Sequence, residues 1–142
     1  MRNRKNPSAR SAFTLIELLL VLVILAVLAA VVVPKFTSRG KQAREAAAKT
    51  DIANLETAID AFQVDTGRFP SSDEGLKALV EMPGNVKNWH GPYIKRGVPN
   101  DPWSQPYVYR FPGTKNANSY DLFSMGEDQR EGNDDIDNWT QQ

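Results

Sequence analysis

Leu18-Leu19-Leu20-Val21-Leu22-Val23-Ile24-Leu25-Ala26-Val27-Leu28-Ala29-Ala30-Val31-Val32-Val33 is an unbroken run of sixteen apolar residues. Phe13, Leu15 and Ile16 extend it backwards, interrupted by Thr14 and Glu17. As a helix, Phe13 to Val33 spans about 31 Å, the thickness of a bilayer's hydrocarbon core. The twelve residues before it contain Arg2, Arg4, Lys5 and Arg10 and no acid. That basic flank predicts a cytoplasmic N-terminus and places everything after Val33 outside. The chain's zero net charge therefore divides into a +4 leader and a −4 remainder. A mean hydropathy of −0.46 averages one apolar helix with a polar exterior domain.

The 142 residues suffice for one domain with a real core. The absence of cysteine excludes a disulfide framework, a thiolate metal site and a cysteine nucleophile. His90 is the only histidine, which disfavours a His-rich metal centre or a Ser-His-Asp triad. Zero net charge disfavours a general nucleic-acid binder. A cleaved secretory signal, with small residues near Ala29, and a plain anchor both fit the apolar run. Neither explains Glu17. A charge at the centre of a membrane helix costs about 2.5–3.5 kcal/mol on insertion scales, and such residues tend to mark function. The competing structural reading is an interfacial glutamate that reaches the headgroups.

Pro34 follows the apolar run, removing one helix hydrogen bond and crowding the carbonyl of Ala30, which predicts a kink or local melting. Residues 41–65 are rich in Ala, Lys, Glu and Gln, and Ile52, Leu55, Ile59 and Phe62 share one face. Gly67 is a natural stop. The pattern predicts a near-continuous helix from Phe13 to about Thr66, roughly 80 Å long, with its first half apolar all round. Beyond it the chain is loop-rich. Ser72 or Asp73 is expected to cap a short helix from Glu74 to Glu81. Residues 107–111 and 119–123 alternate as antiparallel strands, with a turn around Pro112-Gly113. The aromatic residues are expected to pack as core against the amphipathic helix, and His90 to sit in a solvated turn beside Gly91-Pro92. The expected fold class is α+β: a long N-terminal helix, membrane-spanning in its first half, packed on a small domain with a short antiparallel sheet. Its segments are residues 1–12 (leader), 13–34 (membrane or filament-core half), 35–66 (amphipathic half) and 67–142 (globular domain).

From Glu127 to Asp137 there are six acids and one base, Arg130. Crowded carboxylates repel, and a hard divalent cation with oxygen ligands relieves that. The spacing is not that of an EF-hand, and a solvated acidic tail is an equal reading of these residues alone.

Ser11-Ala12-Phe13-Thr14-Leu15-Ile16-Glu17 closely resembles the processing site of type IV pilins and pseudopilins. The resemblance implies cleavage by prepilin peptidase between Ala12 and Phe13, N-methylation of Phe13, and removal of all four leader charges. Ala12 stands where the family usually has glycine. Glu17 would neutralise the terminal amine of a neighbouring subunit, since buried opposite charges are tolerable together and costly apart. Further matches extend over most of the chain, among them Gly67-Arg68-Phe69-Pro70, Asp101-Pro102-Trp103, Tyr120-Asp121-Leu122 and Asn138-Trp139. They resemble the major pseudopilins of type II secretion systems, the general secretion pathway protein G family. That family binds one calcium ion, and the matching positions are Asp128, Asp134 and Asp135, helped by the main-chain carbonyls of Met125 and Arg130. Gln129 replaces the family's usual glycine, and the loop is several residues shorter.

The resemblance implies a non-enzymatic subunit, with no catalytic residues, that polymerises into a periplasmic pseudopilus. Its implied partners are further copies of itself, minor pseudopilins, prepilin peptidase, an inner-membrane assembly platform with a cytoplasmic ATPase, and an outer-membrane secretin, with no nucleic acid. A type IV pilin or competence pilin would use the same stalk for adhesion or DNA uptake. A membrane-anchored enzyme would need a cleft with groups converging on a residue such as His90.

Overall fold

The computed structural model describes residues 13–84 and 86–140, without the side chains of residues 32–38. Ala12 and the rest of the leader lie outside the described residues, as does the side chain of Pro34. The chain forms two units, one ending at Gly40 and the other beginning at Lys41. One helix, α1 (Leu15–Thr66), supplies segments to both and is assigned without interruption through position 34.

In the first unit every described residue from Phe13 to Val31 is exposed, Leu18 at 55% and Val31 at 59%. Among the described residues, no helix is long and apolar enough to cross a membrane. The side chains described in this stretch stop at Val31, before the apolar run reaches Val33.

In the second unit α1 is amphipathic. Ile52, Leu55, Ile59 and Phe62 are buried as expected, and Ala48 and Ala58 join them. Alanine carries little apolar surface to mark a stripe, but its small size lets other groups approach the backbone closely. Burying each larger side chain contributes about 1.5–3 kcal/mol. The helix ends where Gly67 takes φ +76° and its N–H donates to the Gln63 carbonyl. That left-handed position favours glycine.

The expected helix Glu74–Glu81 is instead a 3-10 helix, Gly75–Leu79, and neither Ser72 nor Asp73 caps it. The Ser71 N–H donates to the Glu74 carboxylate at 2.8 Å, and the Glu74 N–H to Ser71 Oγ at 3.3 Å. This reciprocal S-x-x-E pairing closes a turn before the 3-10 helix. The Ser72 hydroxyl is engaged elsewhere: it donates to the Phe111 carbonyl and accepts from the Phe111 N–H.

The sheet is antiparallel, in the order β1 (Val108–Arg110), β2 (Asp121–Ser124), β3 (Ile136–Asp137). Tyr109 pairs with Leu122, and Ser124 with Ile136. The first two strands match the expected pair, β1 shortened at both ends and β2 beginning two residues later and ending one later than expected; β3 lies inside the segment read only as an acidic loop. All four residues of β2 are buried. Leu122 belongs to the same core as α1, while Phe123, its neighbour on the strand, lies against Trp139 (5.4 Å between centroids) and beneath the Arg110 guanidinium. A strand covered on both faces loses the polar–apolar alternation that marks a half-exposed one.

The aromatic side chains form core, as the sequence implies, and three tyrosine hydroxyls bond to polar groups of the same unit. Tyr107 donates to Asp51 at 3.0 Å, Tyr93 to Asp65 at 2.8 Å and Tyr109 to the Pro70 carbonyl at 2.8 Å. Buried phenols need such partners. His90 is exposed, but it has a partner: Nδ1 lies 3.5 Å from Asp65, and the His90 backbone N–H donates to the Tyr93 hydroxyl. His90 thus sits in a solvated turn as expected, and Tyr93 ties that turn to Asp65 near the end of α1.

Candidate functional site

Two places carry the chemistry singled out in the sequence: the start of α1 and the loop between β2 and β3. At the first, the Thr14 N–H and hydroxyl both donate to one Glu17 carboxylate oxygen at 2.8 Å, and the Glu17 N–H donates back to Thr14 Oγ1. This is a capping box, which satisfies N–H groups that a helix start leaves open. The T-x-x-E spacing was the signal for it. Glu17 therefore has an intramolecular role, and Thr14 holds its carboxylate at the first turn. Phe13 is exposed beside it.

The second place begins at buried Asp101. Its Oδ1 accepts from the N–H groups of Trp103 and Gln105, and its Oδ2 from the Ser124 hydroxyl. Ser124 Oγ in turn accepts from the Gly126 N–H. The network fixes the exit of β2 and so the start of the acidic loop. Gly126 has φ +67°, and a Cβ there would sit 3.3 Å from the Asp134 carbonyl oxygen, so the two limbs of the loop nearly touch. The Asp101-Pro102-Trp103 segment thus positions the acidic loop.

The predicted ligands occupy different environments. Asp128 is exposed and accepts from the Arg130 N–H at 2.9 Å. Asp134 is exposed; Asp135 is half-buried. Asp135 Oδ2 accepts from the Gly132 N–H at 3.1 Å, and its Oδ1 is buried with no hydrogen-bond partner. Burial raises the Asp135 carboxyl above its ordinary range, and the charges of Asp134, Glu131 and Asp128 add to that, against the lowering effect of the Gly132 N–H. Asp135 lines two clefts of about 300 and 350 Å³, together with Asn133, Asp137 and Thr140. Among the described residues no three acidic or imidazole side chains converge into a metal-binding group. Calcium also takes main-chain carbonyls, and Asp135 Oδ1, a buried acceptor without a donor, fits one oxygen position around such an ion.

Gln129, where the resemblance expects glycine, has φ +58°. The loop keeps a left-handed turn at this position although the side chain disfavours it. Arg110, on β1, holds Glu131 through paired bonds of 2.9 and 2.7 Å. This latch joins residues distant in sequence, so no local motif announced it. An open groove of about 490 Å³ is lined by Leu76, Lys77, Val80, Glu81, Val98 and Tyr107, among others. His90 lines none of these clefts.

Known proteins agree with this architecture. Residues 35–140 match the family model described as type II secretion system (T2SS), protein G, and residues 7–33 match the prokaryotic N-terminal methylation motif. The chain is 47% identical to the type II secretion system core protein G of Pseudomonas aeruginosa, covering 92% of this chain and 95% of the relative. It is 41% identical to that of Vibrio cholerae, covering 95% of each. The crystal structure of the major pseudopilin from the type 2 secretion system of enterohaemorrhagic Escherichia coli superposes with a TM-score of 0.64 at 31% identity, covering 72% of this chain and 87% of that one. A methylation motif on an exposed apolar helix, joined to a matching globular domain, leaves one assignment: the chain belongs to the type II secretion system protein G family, the major pseudopilins of that machinery.

Proposed function

We propose that the chain is cut between Ala12 and Phe13, methylated on Phe13, and held in the inner membrane by one pass with its domain in the periplasm. It then leaves the bilayer to polymerise into a pseudopilus. The growing filament drives folded proteins through an outer-membrane secretin and performs no chemistry on them. An inner-membrane platform and a cytoplasmic ATPase supply the work, and minor pseudopilins form the tip. The observation that carries this reading is the exposed apolar surface of α1 from Leu15 to Val31. Such a surface requires cover by lipid before assembly and by other helices afterwards. Glu17 would set axial register by meeting the Phe13 amine of a neighbour, with Thr14 presenting the carboxylate. A deletion strain complemented with the wild-type chain should regain export and filaments. With Glu17→Ala the chain should accumulate in the membrane, processed but unpolymerised; normal filaments would overturn the role of Glu17.

We further propose that Asp128, Asp134 and Asp135, with the carbonyls of Met125 and Arg130, hold one calcium ion. The support is the unpartnered Asp135 oxygen and the mutual repulsion around it. The ion would supply positive charge and tie the loop to β2 and β3, as a disulfide would in a cysteine-bearing domain.

A further inference from the structure

Residues 125–135 connect β2 to β3 and hold every position proposed above for calcium. Glu131 ties this connection to β1. Arg110 donates from Nη1 to Glu131 Oε1 at 2.9 Å and from Nη2 to Oε2 at 2.7 Å. The same guanidinium lies 5.3 Å from the centroid of the buried Phe123 ring. A planar fork that pairs bidentately and rests on an aromatic face is held in one orientation. Across the sheet Arg110 faces Asp121, but that carboxylate already accepts from the N–H groups of Thr114, Lys115 and Asn116. The guanidinium is thereby left to the loop.

Glu131 is followed by Gly132, which sits among the calcium positions. Its N–H donates to Asp135 Oδ2 at 3.1 Å, so that Oδ1 is the buried oxygen without a donor. A Cβ on Gly132 would lie 3.3 Å from Asp134 Oδ1 and 3.9 Å from the Arg130 carbonyl oxygen. Asp134, Asp135 and the Arg130 carbonyl thus border one residue, whose neighbour is bonded to β1. Glu131, Gly132 and Asp135 also line the same cleft of about 350 Å³. On the other side Ile136 is fixed by pairing with Ser124 of β2. Asp134 and Asp135 therefore lie between two points of attachment, Glu131 and Ile136.

We infer that Arg110 is a positioning residue for calcium: through Glu131 and Gly132 it holds Asp134, Asp135 and the Arg130 carbonyl in place before the ion arrives. The inference rests on the calcium site proposed above. As a charge, Arg110 acts the other way. A guanidinium near a cation site repels the ion, and its pairing with Glu131 cancels a charge that would attract it. Geometry and charge therefore predict effects of opposite sign. Geometry is the larger, because partners beyond the direct ligands contribute about ten- to a hundredfold to metal affinity. An exposed ion pair adds little to the stability of the fold, so the effect of Arg110 belongs to the site.

The test titrates calcium chloride into the full processed chain in detergent, by calorimetry at fixed ionic strength. Arg110→Gln should weaken binding about ten-fold, although it removes a positive charge and frees a negative one. Arg110→Gln combined with Glu131→Gln leaves the net charge unchanged and should weaken binding as much. Equal or tighter binding by the single variant, or wild-type binding by the double one, overturns the role of Arg110 and leaves the calcium site standing. Hydrogen exchange in chelator, followed by NMR, reads the hold without the ion. The Gly132 amide should lose protection in Arg110→Gln and equally in Glu131→Gln, whose side chain is exposed and packs no core. Unchanged exchange at Gly132 overturns the inference as well. A wild-type chain that takes up no calcium sinks the site and the role of Arg110 in it together.

Discussion

The two ends of α1 are built from one secondary structure and bury their apolar surface in opposite ways. From Leu15 to Val31 the helix is apolar all round and exposed; from Ala48 to Phe62 it is amphipathic, and its stripe lies under tyrosines and strand residues of its own unit. A helix apolar on every side has no polar face to offer water, so its cover comes from lipid or from like helices. A striped helix can be satisfied by one small domain. The contrast separates residues that stabilise the folded subunit from residues that serve assembly.

The largest predicted effect tests that separation directly. Phe62→Ala should cost about 3–5 kcal/mol of domain stability, whereas Leu25→Ala should change it by about 0.5 kcal/mol or less. Denaturant unfolding in detergent, followed by tryptophan fluorescence, measures both. Similar losses at the two sites would show that the halves do not divide the work this way.

Calcium should come next, because it would add a tertiary tie that the second unit otherwise makes through side chains. At a hundredfold excess over its dissociation constant the ion should add about 2.7 kcal/mol, seen as a higher melting midpoint that a chelator reverses. Asp135→Asn should abolish the shift, and the effect should weaken as pH falls and the carboxylates protonate. An unchanged midpoint with chelator would sink the site.

Acid should weaken the second unit through Glu74 and Asp121. The hydrogen bond from Arg68 lowers the Glu74 carboxyl to about 2, with the Ser71 N–H assisting and partial burial opposing. Burial opposes ionisation of Asp121, but the N–H groups of Lys115, Asn116 and Thr114 and the Thr114 hydroxyl outweigh it and lower that carboxyl as well. Both groups bind protons more weakly folded than unfolded. Their stabilisation is present above the unfolded value and is lost as pH falls through the folded one. For Glu74 the window runs from about 4.5 down to about 2. The Arg68 side chain is 39% exposed, so screening holds this contribution to about 1 kcal/mol. Glu74→Gln should flatten the melting midpoint across that window.

The smallest effect belongs to Gln129. Its φ of +58° is costly for a residue with a Cβ, and Gln129→Gly should raise stability by about 0.5–1 kcal/mol. A lower midpoint would mean that the glutamine side chain makes up for the strain.

The candidate sites were legible to unequal degrees. Glu17 announces itself as a carboxylate within an apolar run, and its local partner Thr14 could be read from the T-x-x-E spacing. Asp128, Asp134 and Asp135 stand out by composition, but their differing exposure could not be inferred from adjacent acids. The Arg110–Glu131 latch bridges 21 residues, and the Ser124 hydroxyl bond to Asp101 bridges 23. Neither leaves a periodic trace, because each pair meets only when loops fold back on the sheet.

The sequence by itself determined the long helix, its change from uniformly apolar to striped, the β1–β2 pair and the segregation of charge. These depend on hydrophobic period and on residues close along the chain. Tertiary structure alone decided that β2 is covered on both faces, that two residues in an acidic loop form β3, and that Trp139 returns to close over Phe123. It also decided that His90 meets Asp65 through the turn Tyr93 secures, and that one oxygen of Asp135 is buried without a donor. Those outcomes depend on which distant segments meet, and a strand of two residues or a loop carboxylate carries no local signal of what will cover it.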